Sequence, residues 1–169
     1  MSSDASQSRA STDLLALGLT AVVVFVADQV TKALIVATLD VNERVPVIGD
    51  LVVLWHIQNR GAAFGQFQDA APLFYAVTVV AFGMIAYFHR AFAGRGTRLQ
   101  MLLGLILGGT LGNLVDRLRL GYVTDFVSVG IGDLRWPSFN VADSSIVVGI
   151  LILVAYLTLR DPLRREAGA

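Results

Sequence analysis

The chain has 169 residues, of which 55% are hydrophobic and only 15% charged, and its mean hydropathy is +0.67. A soluble domain carries far more charge, so the composition implies one domain of an integral membrane protein. Lys and Arg balance Asp and Glu to a net charge of zero, which offers no basic surface to nucleic acid. The absence of cysteine removes disulfide frameworks, thiolate nucleophiles and Cys-based metal sites.

A helix needs about 20 mostly apolar residues to cross the hydrocarbon core. Four stretches qualify, at about Leu14 to Leu39, Ala71 to Phe88, Leu99 to Leu114 and Val141 to Leu159. They predict an all-α membrane protein, a four-helix transmembrane bundle over residues 14–160 between a polar tail at 1–13 and a second tail at 161–169. The Ser-rich start and the lack of a small-x-small pattern after the first apolar run mark that run as a retained span.

The first helix is expected to begin at Thr12 or Asp13, either of which can cap it, and to pass Asp28 toward Leu39. Between the first two helices, the Val-, Leu- and Ile-rich run from Arg44 to Ile57, with a Gly49-Asp50 turn, predicts a hairpin. Asp69 and Pro72 suit the start of the second helix. The third helix opens after Gly96-Thr97 and carries Gly104, Gly108 and Gly112 on one face, a small-residue stripe that permits close helix packing in lipid. One more four-residue step reaches Asp116, which should therefore point into the bundle. Tyr122 to Val129 is a second β-prone run, closed by Gly130-Ile131-Gly132-Asp133. These β elements, at about 41–65 and 120–136, are expected to form a small sheet at the membrane surface, because open edges cannot sit in hydrocarbon. The fourth helix begins near Phe139-Asn140 and stops at Pro162.

Lys and Arg are dense in the segments before the first helix, between the second and third, and after the fourth. That pattern places both termini in the cytoplasm and gathers Asp28, Asp116, Asp125 and Asp143 at the outer end. Acids at span ends need a reason, since a carboxylate at mid-bilayer costs about 2.5–3.5 kcal/mol even on lenient scales. Two carboxylates held close cannot both ionise cheaply, and one acid with one base is the pair that hydrolysis by activated water requires. The start of the fourth helix favours the anion at Asp143 and apolar neighbours favour the neutral acid at Asp125, so Asp143 is the expected base and Asp125 the expected proton donor. Each also has a plainer reading: Asn140 with Asp143 as a capping box, and Asp125 as a solvated strand-edge residue.

Other catalytic sets are weaker. His56 and His89 fall on opposite membrane faces, and no His-Glu-x-x-His pattern exists. Lys32 with an outer serine could form a Ser-Lys protease, but Lys32 stands four residues after Asp28, an order that makes an ion pair bracing the site. The small residues of Asn59-Arg60-Gly61-Ala62-Ala63-Phe64-Gly65 let another backbone approach, with the Asn59 amide available to a peptide. Arg117 could pair with a bundle acid, orient the two carboxylates, or meet lipid phosphate; pairing with an acid is the expectation.

Taken in order, Asp28-Gln29-x-x-Lys32, Asn59-x-Gly61-Ala62-Ala63-Phe64-Gly65, Gly108-Gly109-x-x-Gly112-Asn113-x-x-Asp116-Arg117, Val123-x-Asp125-Phe126 and Phe139-Asn140-x-Ala142-Asp143 resemble the motif blocks of the bacterial lipoprotein signal peptidase family, also called signal peptidase II. The resemblance covers about Leu14 to Leu159 with no departure inside the motifs. It implies a four-span aspartyl protease of the bacterial cytoplasmic membrane, with a small surface sheet and an interfacial helix. Such an enzyme cleaves prolipoproteins before a diacylglyceryl-modified cysteine and is inhibited by globomycin-type cyclic peptides. The implied catalytic pair is Asp125 and Asp143, supported by Asp28, Lys32, Asn59, Gly61, Asn113, Asp116, Arg117 and Asn140. Neither metal nor organic cofactor is expected, and a monomer acting among membrane lipids is. The alternatives from other classes are a small transporter or proton or cation channel, in which the acids would form a path, and a structural scaffold.

Overall fold

The computed structural model describes residues 2–61 and 71–159. Among the described residues four helices run in the order α1 (Ser2–Thr38), α2 (Ala71–Ala91), α3 (Thr97–Leu120) and α4 (Val141–Leu159). All four are long and apolar enough to cross a membrane. Between them lie β1 (Arg44–Ile48), β2 (Val52–Asn59), β3 (Val123–Ile131) and β4 (Leu134–Arg135), joined as one antiparallel sheet in the order β1-β2-β3-β4. The Arg44 hairpin and the Tyr122 run thus become neighbours, with β2 against β3. The interfacial helix implied by the resemblance is not among the described residues; Asp69 and residues 62–65 also lie outside them.

Two helix limits differ from expectation for physical reasons. α1 does not begin at Thr12 or Asp13 but at Ser2, and Asp13 caps nothing there: its buried carboxylate accepts a hydrogen bond from Gly94 N at 2.8 Å, tying α1 to the α2–α3 connection. α3 outlasts its apolar stretch and ends at Leu120, where Gly121 takes the left-handed conformation (φ 77°) and its N–H returns to Arg117 O at 3.1 Å. Polar residues extend this helix because their partners lie inside the bundle. α4 starts as expected, after Asn140.

The stripe on α3 does the packing foreseen for it. A Cβ on Gly104 would come within 2.7 Å of Leu17 O, and one on Gly108 within 2.5 Å of Ala21 O and 2.8 Å of Val24 Cβ, so α1 rests directly on the α3 backbone. A Cβ on Gly112 would collide with the Asp28 carboxylate. On its other side α3 receives α4, with Gly109 beneath Ala142 and Gly149 against Ile106. Leu17, Ile85, Phe92, Leu99, Leu103 and Leu153 form the core at the end remote from the sheet. Overpacking a close contact destabilises by about 1–3 kcal/mol. Gly108→Val should therefore lower the thermal unfolding midpoint in detergent, whereas Gly18→Ala, with nothing within 4 Å of an added Cβ, should not lower it. Equal midpoints for the two chains would contradict this packing.

Candidate active site

The site begins with a buried cation. Lys32, on the inner face of α1, is 4% exposed, and its ammonium lies 2.8 Å from Asp28 Oδ2 and 2.9 Å from Asp116 Oδ2 while donating to Asn113 Oδ1 at 3.0 Å. All three hydrogens of the ammonium have acceptors, which leaves it no role as a base toward a serine. Asp28, fully buried, also accepts from Ala142 N at 2.9 Å, and so joins α1 to the first turn of α4. Asp116 points into the bundle as the stripe foretold and accepts from Thr124 N at 3.2 Å, joining α3 to β3. Gln29 donates to Asp28, at 3.2 Å, and to Asp116, at 3.0 Å.

This cluster aims two asparagines. Asn113 receives Lys32 Nζ and Asn140 Nδ2 on its oxygen, so its own amide nitrogen is left to donate to Asp143 Oδ1 at 2.7 Å. Asn140 is fully buried; its Oδ1 accepts from Asp143 N at 2.9 Å and Asp143 Oδ2 accepts from Asn140 N at 3.2 Å, the reciprocal capping box read from the sequence. The remaining group, Asn140 Nδ2, donates to Asp125 Oδ1 at 2.7 Å. From the other side Asn59 Nδ2 donates to Asp125 Oδ2 at 2.8 Å, while Gly61 N donates back to Asn59 Oδ1 at 2.9 Å and so fixes that amide. Asp143 is thus a helix cap and a site residue at once, and Asp125 is a buried carboxylate, 2% exposed, rather than a solvated strand-edge residue.

Asp125 and Asp143 line one cavity of about 210 Å³ with Asn59, Gly61, Asn113 and Arg117. Burial first, and then the nearby Asp143 charge, push the Asp125 carboxyl up to about 7, against the hydrogen bonds from Asn59 and Asn140. Asp28, Lys32, Asp116 and Asn140 stand behind the cavity wall and hold those that line it. Arg117 departs from expectation: among the described residues it forms no ion pair with a carboxylate. Its guanidinium donates to Asn113 O at 3.3 Å and lies 4.5 Å from the centre of the Phe74 ring, stacking α3 on α2 at the cavity edge. Val123, Trp136, Pro137, Ser138 and Phe139 complete the lining. Of these five, Ser138 is one of the outer serines weighed for a pair with Lys32; Val123 and Phe139 stand in motif blocks, whereas Trp136-Pro137 carries no chemical signature. His56 lies beside Leu39 O near the end of α1, and His89 beside Gln100 near the start of α3, so the histidines sit apart.

A family model described as signal peptidase (SPase) II matches residues 20–159. This chain belongs to the signal peptidase II family. Its relatives include a lipoprotein signal peptidase of Halothermothrix orenii, 42% identical over 135 residues that cover 80% of this chain and 90% of that one. Another, of Geobacter sulfurreducens, is 45% identical over 144 residues, covering 83% and 87%. A bacterial membrane enzyme solved by the in meso method at 2.3 Å resolution superposes with a TM-score of 0.76 at 34% identity, covering 85% of this chain and 87% of its own. A second, solved at 1.9 Å, gives 0.74 at 33% identity, covering 85% and 92%. Membership makes the chain an aspartic-type peptidase, a hydrolase, and sets aside the transporter, channel and scaffold readings.

Removing one partner of a buried ion pair costs about 3–5 kcal/mol, because the other charge is left uncompensated. Asp28→Ala should lower the unfolding midpoint, and Lys32→Met should lower it at least as much, because it leaves the buried Asp28 and Asp116 both without their cation. A Lys32→Met chain that unfolds together with the unmodified one would show that the ammonium does not hold these acids.

Proposed function

We propose that this chain removes the signal peptide from lipid-modified prolipoproteins, hydrolysing the peptide bond just before the diacylglyceryl-modified cysteine with a water activated between Asp125 and Asp143. One observation carries the reading: two carboxylates from different elements line one cavity at the end of a four-span bundle, and a single buried asparagine contacts both. Names among the relatives supply the substrate class.

The chemistry follows from the surroundings of the two acids. Asp143 lies in the first turn of α4, where its carboxylate accepts from Asn113 Nδ2 at 2.7 Å and from Asn140 N at 3.2 Å, two donors suited to the base of the pair. It takes a proton from water as the water oxygen attacks the carbonyl carbon. Asp125, kept protonated by burial, gives its proton to the carbonyl oxygen, forming a tetrahedral diol. As the C–N bond breaks, the proton held by Asp143 goes to the departing nitrogen and Asp125 regains one from the diol hydroxyl, which restores the starting state. Two coupled acids titrate as a unit, so the pair works as one acid and one base whichever holds the proton at a given instant. Asn59 and Gly61, on the rim, offer polar groups to a substrate backbone, and Arg117 closes the edge toward α2. The density of Lys and Arg in short loops supports cytoplasmic termini and a cavity on the outer face of the bacterial cytoplasmic membrane. A substrate with an apolar helix and two acyl chains is itself a membrane component, and its scissile bond lies at that level.

The test is cleavage of a lipidated prolipoprotein peptide by the purified chain in detergent. Asp125→Asn and Asp143→Asn should each lower kcat by at least about a hundredfold, the range of a lost acid–base step, with folding intact. Cleavage persisting in either variant removes the two-acid mechanism. In the same assay Asp125 must hold its proton in order to donate it, so kcat/KM of the unmodified chain should fall as pH rises through about 7. A rate still climbing above that pH would reverse the assigned roles.

A further inference from the structure

The sheet bears an exposed apolar rim that the cleavage chemistry does not use. Along β3, Phe126 and Ser128 are buried on one face, while the face of Asp125 continues through half-buried Val127 and Val129 to Ile131, which is open. Ile131 stands opposite Leu134 in the register, and Trp136 N donates to Val129 O at 2.8 Å, so Leu134 and Trp136 lie on that same face. β2 continues it, Val52 pairing with Val129 on one side and with Ile48 on the other. Ile48, Ile131, Leu134 and Trp136 are 60%, 73%, 87% and 68% exposed, a contiguous apolar edge with an indole at the cavity mouth.

The edge is braced across its two turns by one ion pair, while Asp133, at the hairpin tip between Ile131 and Leu134, adds an exposed carboxylate beside it. Asp50, in the β1–β2 turn, accepts from Gly132 N at 2.6 Å and meets Arg135 Nη1 at 3.1 Å, while Arg135 also donates to Asp50 O at 2.9 Å and to Ser128 Oγ at 2.9 Å. The two turns are therefore lashed together beneath the rim. Its depth follows from α1: the helix continues from Lys32 to Thr38, about 9 Å at the usual rise, and His56 of β2 contacts Leu39 O. Because Asp116, paired with Lys32, also accepts from Thr124 N of β3, the sheet starts at the level of Lys32 and extends past the last turns of α1 to Leu39. At that level the neighbour of an apolar edge is the headgroup region, where tryptophan is favoured over both water and hydrocarbon.

We propose that Ile48, Ile131, Leu134 and Trp136 form a lipid-surface anchor, inserted into the headgroup and upper acyl region of the same leaflet, which holds the cavity mouth at the height of a membrane-borne substrate. The chain has no cysteine, so Leu134→Cys supplies one thiol for a nitroxide label. In vesicles of phosphatidylcholine and phosphatidylglycerol, the label should be relaxed more by oxygen than by a water-soluble nickel chelate, the signature of lipid depth. Independently, the Trp55→Phe chain keeps Trp136 as its one indole. Its emission should be largely lost when the lipids carry bromine high on their acyl chains, and little affected by iodide. A label relaxed fully by the chelate, or emission quenched by iodide and not by bromolipid, would place the rim in water and overturn the proposal. Dipolar broadening between labels on two copies would assign it to self-association and overturn it equally. Both readouts report depth, not cleavage, so they stand apart from the activity proposed above.

Discussion

A single ammonium group, that of Lys32, constrains the rest of the molecule. Desolvating a charge costs several kcal/mol, and only a complete set of acceptors makes its burial tolerable. Here the set is drawn from separate elements: Asp28 from α1 itself, Asp116 and Asn113 from α3. Each acid has a second bond elsewhere, Asp28 to the α4 backbone and Asp116 to the β3 backbone. One charge therefore ties three spans and the sheet. The glycine stripe is the condition for this, since a side chain at Gly112 would occupy the space of the Asp28 carboxylate.

From the ammonium outward, polarity dictates direction. An amide has an acceptor end and a donor end, and turning it over would set like against like. With Lys32 and Asn140 Nδ2 on its oxygen, Asn113 has to present its NH₂ to Asp143. With its oxygen capping α4, Asn140 has to present its NH₂ to Asp125. One chain of donors thus runs from the fixed cation through Asn113 to Asp143, and a second from the start of α4 through Asn140 to Asp125. Preorganised groups of this kind need no rearrangement during the reaction. The first link spans the chain, since Lys32 and Asn113 come from opposite halves of it, whereas Asn140 and Asp143 stand three residues apart.

What could be read from residues alone depended on whether the signal was local. The four spans, the Gly104–Gly108–Gly112 stripe, the inward turn of Asp116 and the Asp28–Lys32 pair all follow from helical spacing, and the structure contains each of them. The early start of α1 was missed because Ser2 to Thr12 has no apolar pattern, while a helix needs none where propensity suffices. Hydropathy likewise stopped α3 at Leu114, since it counts Asp116 and Arg117 as interruptions when their partners are in fact internal. Arg117 was expected beside an acid, but Lys32 already occupies Asp116, and the guanidinium lies over Phe74 instead. Trp136 to Ser138 reach the cavity only through the short β3–β4 hairpin, a tertiary placement that no local pattern announces.

The central claim is that Asp125 and Asp143 act on each other across one cavity. Infrared titration of the carboxyl stretch in the folded chain, with Asp125→Asn used to assign the band, tests it most directly. The account predicts a protonated band from Asp125 that disappears near pH 7, about 7 being where burial and the Asp143 charge place it, and that disappears at lower pH in Asp143→Asn. A band that titrates near the ordinary aspartate value of about 4, or that is unmoved by Asp143→Asn, would contradict it.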